Sequence, residues 1–207
     1  MIYRIFEKTV IIIQPPKCAS CTIHSQLQKF ALCPKFHIPL FAMQSIIYPK
    51  FSIETPKHPI VICLYRNHLE RFVSLYTYIC QKHGFLQKHP FKDFLFNIDR
   101  IYPHLPFMKK KENLEKEWIE VFNKNFLRWF TTDGSENFEK LHQGAHFINI
   151  STQCPINAIN EILMENGVSF RLKPKVLNGS KRMKQDKDDD VLMWIEKRHA
   201  KDKFLFT

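Results

Sequence analysis

Two short apolar runs, Ile11 to Ile13 and Ile60 to Tyr65 (IVICLY), limit what this chain can fold into. Neither alternates with polar residues, so each reads as a strand covered on both faces, the kind that belongs to parallel sheets layered with helices. Pro15 and Pro16 end the first run, because neither can donate to a ladder. Each run then passes into a helical pattern. After the first, Ile23, Leu27, Phe30 and Ala31 predict a helix from Cys21 to about Leu32, stopped by Pro34. After the second, Leu69, Phe72, Val73, Tyr76 and Ile79 share one face, which is expected to pack on the sheet. Strands alternating with helices predict an α/β domain with a mostly parallel central sheet flanked by helices.

The rest of the chain fits around that frame. Tyr3 to Phe6 reads as a short extra strand or a disordered start, Phe36 to Tyr48 as an extended segment, and Phe91 to Ile98 as a short helix. Glu112 to Phe130 carries the pattern of a long amphipathic helix, and Ala145 to Ile150 that of a third strand. Ile156 to Met164 is a helix closed by Asn166-Gly167, and the last helix, about Asp189 to Ala200, has Asp188 to Asp190 at its positive end. No repeat and no composition shift divides the 207 residues, so residues 1–207 are expected to form one domain.

The two strand-to-helix junctions hold the chemistry. In the first, Lys17, Cys18, Ala19, Ser20, Cys21 and Thr22 lie between the prolines and the helix, with Ser20 or Thr22 expected as its N-cap. The first-turn N–H groups would then face the loop and favour phosphate or sulfate, and Lys17 adds a full charge at its mouth. In the second, Arg66 leaves the strand and Ser74 follows two helical turns later. Pro16, Lys17, Ala19, Ser20 and Thr22 resemble the phosphosulfate-binding loop of the sulfotransferases that use 3′-phosphoadenosine 5′-phosphosulfate (PAPS), especially the glycan-modifying branch, whose loops read PK-x-A/G-S/C-T-S. Arg66, Arg71, Ser74 and Tyr76 match that family's R-x-P-x-x-R-x-x-S-x-Y in register, with His68 standing where the family usually has Pro. Val176 to Ser180 resembles the late Asn-x-Ser loop that closes over the cofactor, and Trp194 to Phe206 the final helix with its D-x-x-L-F ending.

The resemblance implies a fold like that of the P-loop nucleotide hydrolases, PAPS as sulfuryl donor, no metal, and transfer to a hydroxyl of a carbohydrate or glycoconjugate. It implies that Lys17 stabilises the leaving phosphate, and that the backbone from Cys18 through Cys21 and on to Ile23 holds the phosphosulfate with the Ser20 and Thr22 hydroxyls. Arg66 and Ser74 would bind the 3′-phosphate, and Asn178 and Ser180 would close the site. Glycan-modifying relatives use a His after the 3′-phosphate helix. His104 in IYPHLPF is the nearest match, with His24, His37 and His68 as competitors.

Charge narrows the partner. Thirty-one Lys and Arg against 20 Asp and Glu leave +11, which suits nucleic acid, a membrane surface, a nucleotide or an acidic glycan. The six cysteines are scattered through expected core elements, so reduced thiols and a cytoplasmic setting are expected, with attachment to a membrane surface by charge as the alternative. No cleavable signal and no membrane-spanning run is read in the sequence. Cys18-x-x-Cys21 also fits a redox pair at a helix start, although no second pair lies at zinc-finger spacing. A kinase-like P-loop enzyme is a further reading, but G-x-x-x-x-G-K-[ST] needs two glycines that the loop lacks. A non-enzymatic binder of nucleic acid or anionic polymer rests on charge alone.

Overall fold

In the computed structural model of the chain, residues 1–35, 37–83, 90–101, 125–174 and 188–206 are described. A four-stranded open sheet in the order β1-β2-β3-β4 carries the fold. β1 (Ile2–Ile5) and β2 (Lys8–Ile13) form an antiparallel hairpin across a two-residue turn, so the first of the two expectations for the amino-terminal segment holds. β2 runs parallel to β3 (Ile60–Tyr65), and β3 parallel to β4 (His146–Asn149). All six residues of β3 are buried, as is β2 from Thr9 to Ile13. The uninterrupted apolar runs therefore correspond to strands covered on both faces, within a single-domain α/β fold whose mixed sheet has one antiparallel edge.

The helix after β2, α1 (Ser20–Leu27), is shorter than its pattern. A 3-10 turn follows at Gln28–Phe30, and the chain then joins the sheet edge, with Ala31 bridged to Tyr3 and the Leu32 N–H donating to the Ile2 carbonyl at 3.0 Å. The expectation of an extended Phe36–Tyr48 is corrected. Met43–Ile47 is a π-helical turn continued by α2 (Tyr48–Lys50), and it buries Met43 and Ile47, four residues apart on one face. The helix Pro155–Glu165 ends as its sequence requires. Gly167 takes φ 75°, and the N–H groups of Gly167 and Val168 return to the carbonyls of Met164 and Leu163.

α3 (His68–His83) is corrected in its packing, not in its existence. Phe72, Leu75, Tyr76 and Ile79 do not join the core of the sheet. They form a second core with Phe94 and Leu95 of α4 (Phe91–Phe96), Ile98 of α5 (Ile98–Ile101) and Val191 and Ile195 of the carboxyl-terminal helix Asp189–Arg198. Periodicity marks which face of a helix is apolar, but not which element covers it. Asp188 caps the carboxyl-terminal helix by accepting from the Asp190 N–H, and Lys92 of α4 bridges Asp188 and Asp190. Of the long helix expected over Glu112 to Phe130, Leu127–Phe130 is helical and most of the remainder lies outside the described residues. Among the described residues no helix is long and apolar enough to cross a membrane.

Candidate functional site

The two expected anion loops meet because their strands are neighbours. β2 and β3 pair in parallel with Ile13 opposite Cys63, so the segments leaving their carboxyl ends start side by side, about 4.8 Å apart. Strand order follows chain order among the described strands, so simple adjacency, and not a reversal of strand order, brings the loops together. In the first loop the Cys18 N–H turns back to the Pro15 carbonyl at 3.2 Å, and both Lys17 (φ 70°) and Ala19 (φ 60°) are left-handed. Holding a residue with a Cβ there costs about 1–2 kcal/mol. The N-cap expectation is corrected. Ala19 occupies that position with no side-chain hydrogen bond, Ser20 is the buried first residue of α1, and Thr22 lies within its first turn. A left-handed Ala19 followed by helical Ser20 is the alternation that curls successive backbone N–H groups around a concavity suited to an anion.

Lys17 and Arg66 belong to one locus. The Arg66 Nη1 donates to the Lys17 carbonyl at 3.4 Å, while its Nε and Nη2 both donate to the Glu70 carboxylate at 3.1 Å. That carboxylate also accepts from the Ser151 hydroxyl at 3.3 Å, and the Ser151 oxygen accepts from the Asn67 N–H at 2.9 Å. The Lys17 ammonium lies 4.4 Å from the centre of the Tyr78 ring. Burial holds the Lys17 pKa below its ordinary value, and the nearby charges of Arg66 and Lys35 push the same way, against Cys21 and Cys18. Ser74 is half-buried on α3, and no hydrogen bond joins it to Arg66 among the described residues. An anion entering here meets an arginine already paired with Glu70, a competitor the motif comparison does not reveal.

Cys18 and Cys21 part company. Cys18 is fully buried, and burial pushes its thiol up to about 12 despite the nearby charges of Arg71, Arg66 and Lys17. Cys21 is exposed and accepts from the Lys35 ammonium at 3.0 Å. A redox pair needs an attacking thiol that ionises readily, and Cys18 has the opposite environment.

A second constellation went unread in the sequence. His68, the first residue of α3, has Nε2 at 2.9 Å from the Asp202 carboxylate, which also accepts from the Phe126 and Leu127 N–H groups at 2.7 and 3.0 Å. The His199 ring stacks on His68 with centres 3.7 Å apart, and its Nδ1 lies 3.2 Å from Asn125 Oδ1. Phe126 also stacks on His68, at 4.6 Å. Arg71 is fully buried, its guanidinium 4.5 Å from the Phe126 ring, so this residue of the family match lies in the protein interior. Burial raises the Asp202 pKa to about 6, although the two backbone donors and Arg71 pull it down. Burial, followed by the Arg71 charge, holds His68 well below its ordinary value, and burial, His68 and Arg71 depress His199 likewise. His199 and Asp202 stand three apart in the sequence. Nothing local connects them to His68.

Among the described residues these three are the group with metal-ligand atoms close together, within 4.8 Å of one another. The stacking works against that use. With the rings stacked, their centres 3.7 Å apart and their planes 12° from parallel, an ion about 2.1 Å from a nitrogen of each ring cannot lie in both planes. Of the expected base candidates, His24 has Nδ1 at 3.2 Å from the Tyr3 hydroxyl and His37 has Nδ1 at 2.9 Å from the Gln14 carbonyl. His104, Asn178 and Ser180 lie outside the described residues. No protein family, no curated protein and no solved structure matches the chain.

Proposed function

We propose that the loop after β2 and the head of α3 form one nucleotide site, and that the chain is a PAPS-dependent sulfotransferase acting on a hydroxyl of a carbohydrate or glycoconjugate in the cytoplasm. The observation that carries this reading is the hydrogen bond from Arg66 to the Lys17 carbonyl, which joins the two cation-bearing segments that leave the ends of adjacent parallel strands. Sulfuryl transfer demands charge stabilisation on the leaving phosphate and a grip on the far end of the cofactor, and electrostatic stabilisation is usually its largest component. In this reading Lys17 serves the leaving group, and its partial burial strengthens its field there. The curled backbone from Ala19 to Thr22 takes the phosphosulfate, and Arg66 with Ser74 takes the 3′-phosphate in place of Glu70. His104 is the proposed base, and Asn178 and Ser180 the closing residues.

Thermal unfolding with 3′-phosphoadenosine 5′-phosphate, ATP and an oligonucleotide in parallel tests the site. Stabilisation by the bisphosphate alone is expected. An equal shift with ATP would favour a kinase-like enzyme, and one with the oligonucleotide a nucleic-acid binder. Arg66→Ala removes charge-assisted bonds of about 1.5–3 kcal/mol each, so the cofactor KM is expected to rise roughly tenfold or more with the fold intact. An unchanged KM would detach Arg66 from the cofactor. Incubation with labelled PAPS and candidate glycans then reads activity and acceptor together.

A further inference from the structure

Phe6 stands at the tip of the β1–β2 hairpin, in the two-residue turn Phe6-Glu7, and it is 60% exposed. Its backbone takes φ 53°, the left-handed region in which a bulky side chain is an outlier and glycine is the usual occupant. A large apolar residue is unfavourable there twice over, once for the backbone and once for the ring in water. Its ring meets Phe30, with centres 6.2 Å apart. Topology brings a third ring to the same edge. β2, β3 and β4 are parallel, so the helices that follow β2 and β4 start beyond the carboxyl ends of those strands and return toward the hairpin turn. Phe30, just after α1, and Phe170, just after the helix Pro155–Glu165, arrive with centres 5.0 Å apart, edge to face.

Charge at this edge has one sign in excess. Within two positions of the three rings the charged residues are Arg4, Glu7, Lys8, Lys29 and Arg171, all exposed, so that only Glu7 opposes the cations. The Lys29 ammonium lies 4.8 Å from the centre of the Phe30 ring and 5.4 Å from that of Phe170. An exposed apolar tip flanked by cations suits a partner that is anionic outside and apolar within.

Ring geometry separates the two macromolecules of that description. A single-stranded nucleic acid stacks its bases on the open faces of successive aromatic rings. Phe30 is tilted 60° from Phe6 and 76° from Phe170, and Lys29 sits over the inner pair, so the three rings offer no run of parallel faces. A lipid surface asks only for a projecting apolar tip and cations that reach the headgroups. We propose that the β1–β2 hairpin tip is a membrane-docking site, which inserts Phe6 into an anionic bilayer while Arg4, Lys8, Lys29 and Arg171 meet its headgroups. Phe6 precedes β2 and Lys17 follows it, so the docked tip lies at the opposite end of the sheet from Lys17 and Arg66, and the proposal is independent of sulfuryl transfer.

Sedimentation of the full chain with vesicles of phosphatidylcholine alone, and of phosphatidylcholine and phosphatidylserine in equal parts, tests it. Saturable binding to the anionic vesicles is expected, at least about tenfold tighter than to phosphatidylcholine alone. Phe6→Gly leaves every charge in place and suits the left-handed turn, so the protein should stay folded while its binding falls about tenfold or more, the worth of burying one such ring. Lys29→Gln should weaken binding about fivefold, the effect of one cation at a charged surface. Equal binding by the Phe6→Gly and unaltered proteins would reduce the attraction to overall charge and overturn the proposal. So would absence of binding to the anionic vesicles, or a Phe6→Gly protein that loses affinity for an oligonucleotide and keeps it for the vesicles.

Discussion

Asp202→Ala is expected to destabilise the fold by about 3 kcal/mol or more, since each buried donor left without an acceptor costs about 1–3 kcal/mol. The carboxylate is fully buried and accepts three hydrogen bonds, from His68 and from the Phe126 and Leu127 N–H groups. Alanine would leave all three donors inside the protein with nothing to accept them. The damage would spread, because the same carboxylate ties the head of α3 and the start of the Leu127–Phe130 helix to the carboxyl-terminal segment. Chemical denaturation reads the loss directly, and a change under about 1 kcal/mol would mean that water replaces the carboxylate without penalty.

The same cluster gives the protein an acid limb. Asp202, with its pKa raised to about 6, takes up a proton in the folded state before an unfolded carboxylate does, so by itself it adds stability as pH falls below about 6. His68 and His199 act the other way. Their pKa values are depressed by burial, so the unfolded chain accepts two protons near pH 6.5 that the folded state refuses, and their contribution is present above that pH and lost below it. Two protons against one leave a net loss of roughly 2–3 kcal/mol between about pH 7 and 5. Denaturation midpoints measured across that window should fall with acid, and a flat or rising profile would contradict the assigned protonation states.

Under the proposed function, Lys17→Ala is expected to lower sulfuryl-transfer turnover by about two orders of magnitude or more, the scale of losing one electrostatic donor at a developing charge. The substitution is clean in structural terms. Arg66 binds the Lys17 carbonyl, so the bond between the two loops survives loss of the ammonium, and alanine meets the left-handed backbone at residue 17 no worse than lysine does. Turnover measured at saturating cofactor separates this role from simple binding, which Arg66→Ala addresses through KM. Near-normal turnover would remove Lys17 from the mechanism.

What could be read directly from the amino-acid order is whatever depends on neighbours a few positions apart. Unbroken apolar runs marked β2 and β3, Pro15-Pro16 marked the exit from the first, and Asn166-Gly167 marked a helix end that closes with its two return hydrogen bonds. The parallel pairing of β2 with β3 followed from the helix between them, and with it the meeting of the Lys17 and Arg66 segments. Other features had no local signal. The cap of α1 is a left-handed alanine where side-chain chemistry pointed to Ser20 or Thr22, because the turn at Pro15 and the seating of Cys18 in the core dictate the backbone there. The apolar face of α3 was visible, but its cover came from α4 and the carboxyl-terminal helix. His68 looked like a misplaced residue in a turn motif until Asp202 and His199, from the far end of the chain, were packed against it. Local order thus determined the strands and the loops that leave them, whereas burial, which only the assembled layers create, decided which ionisable groups are held together and in which charge state they sit.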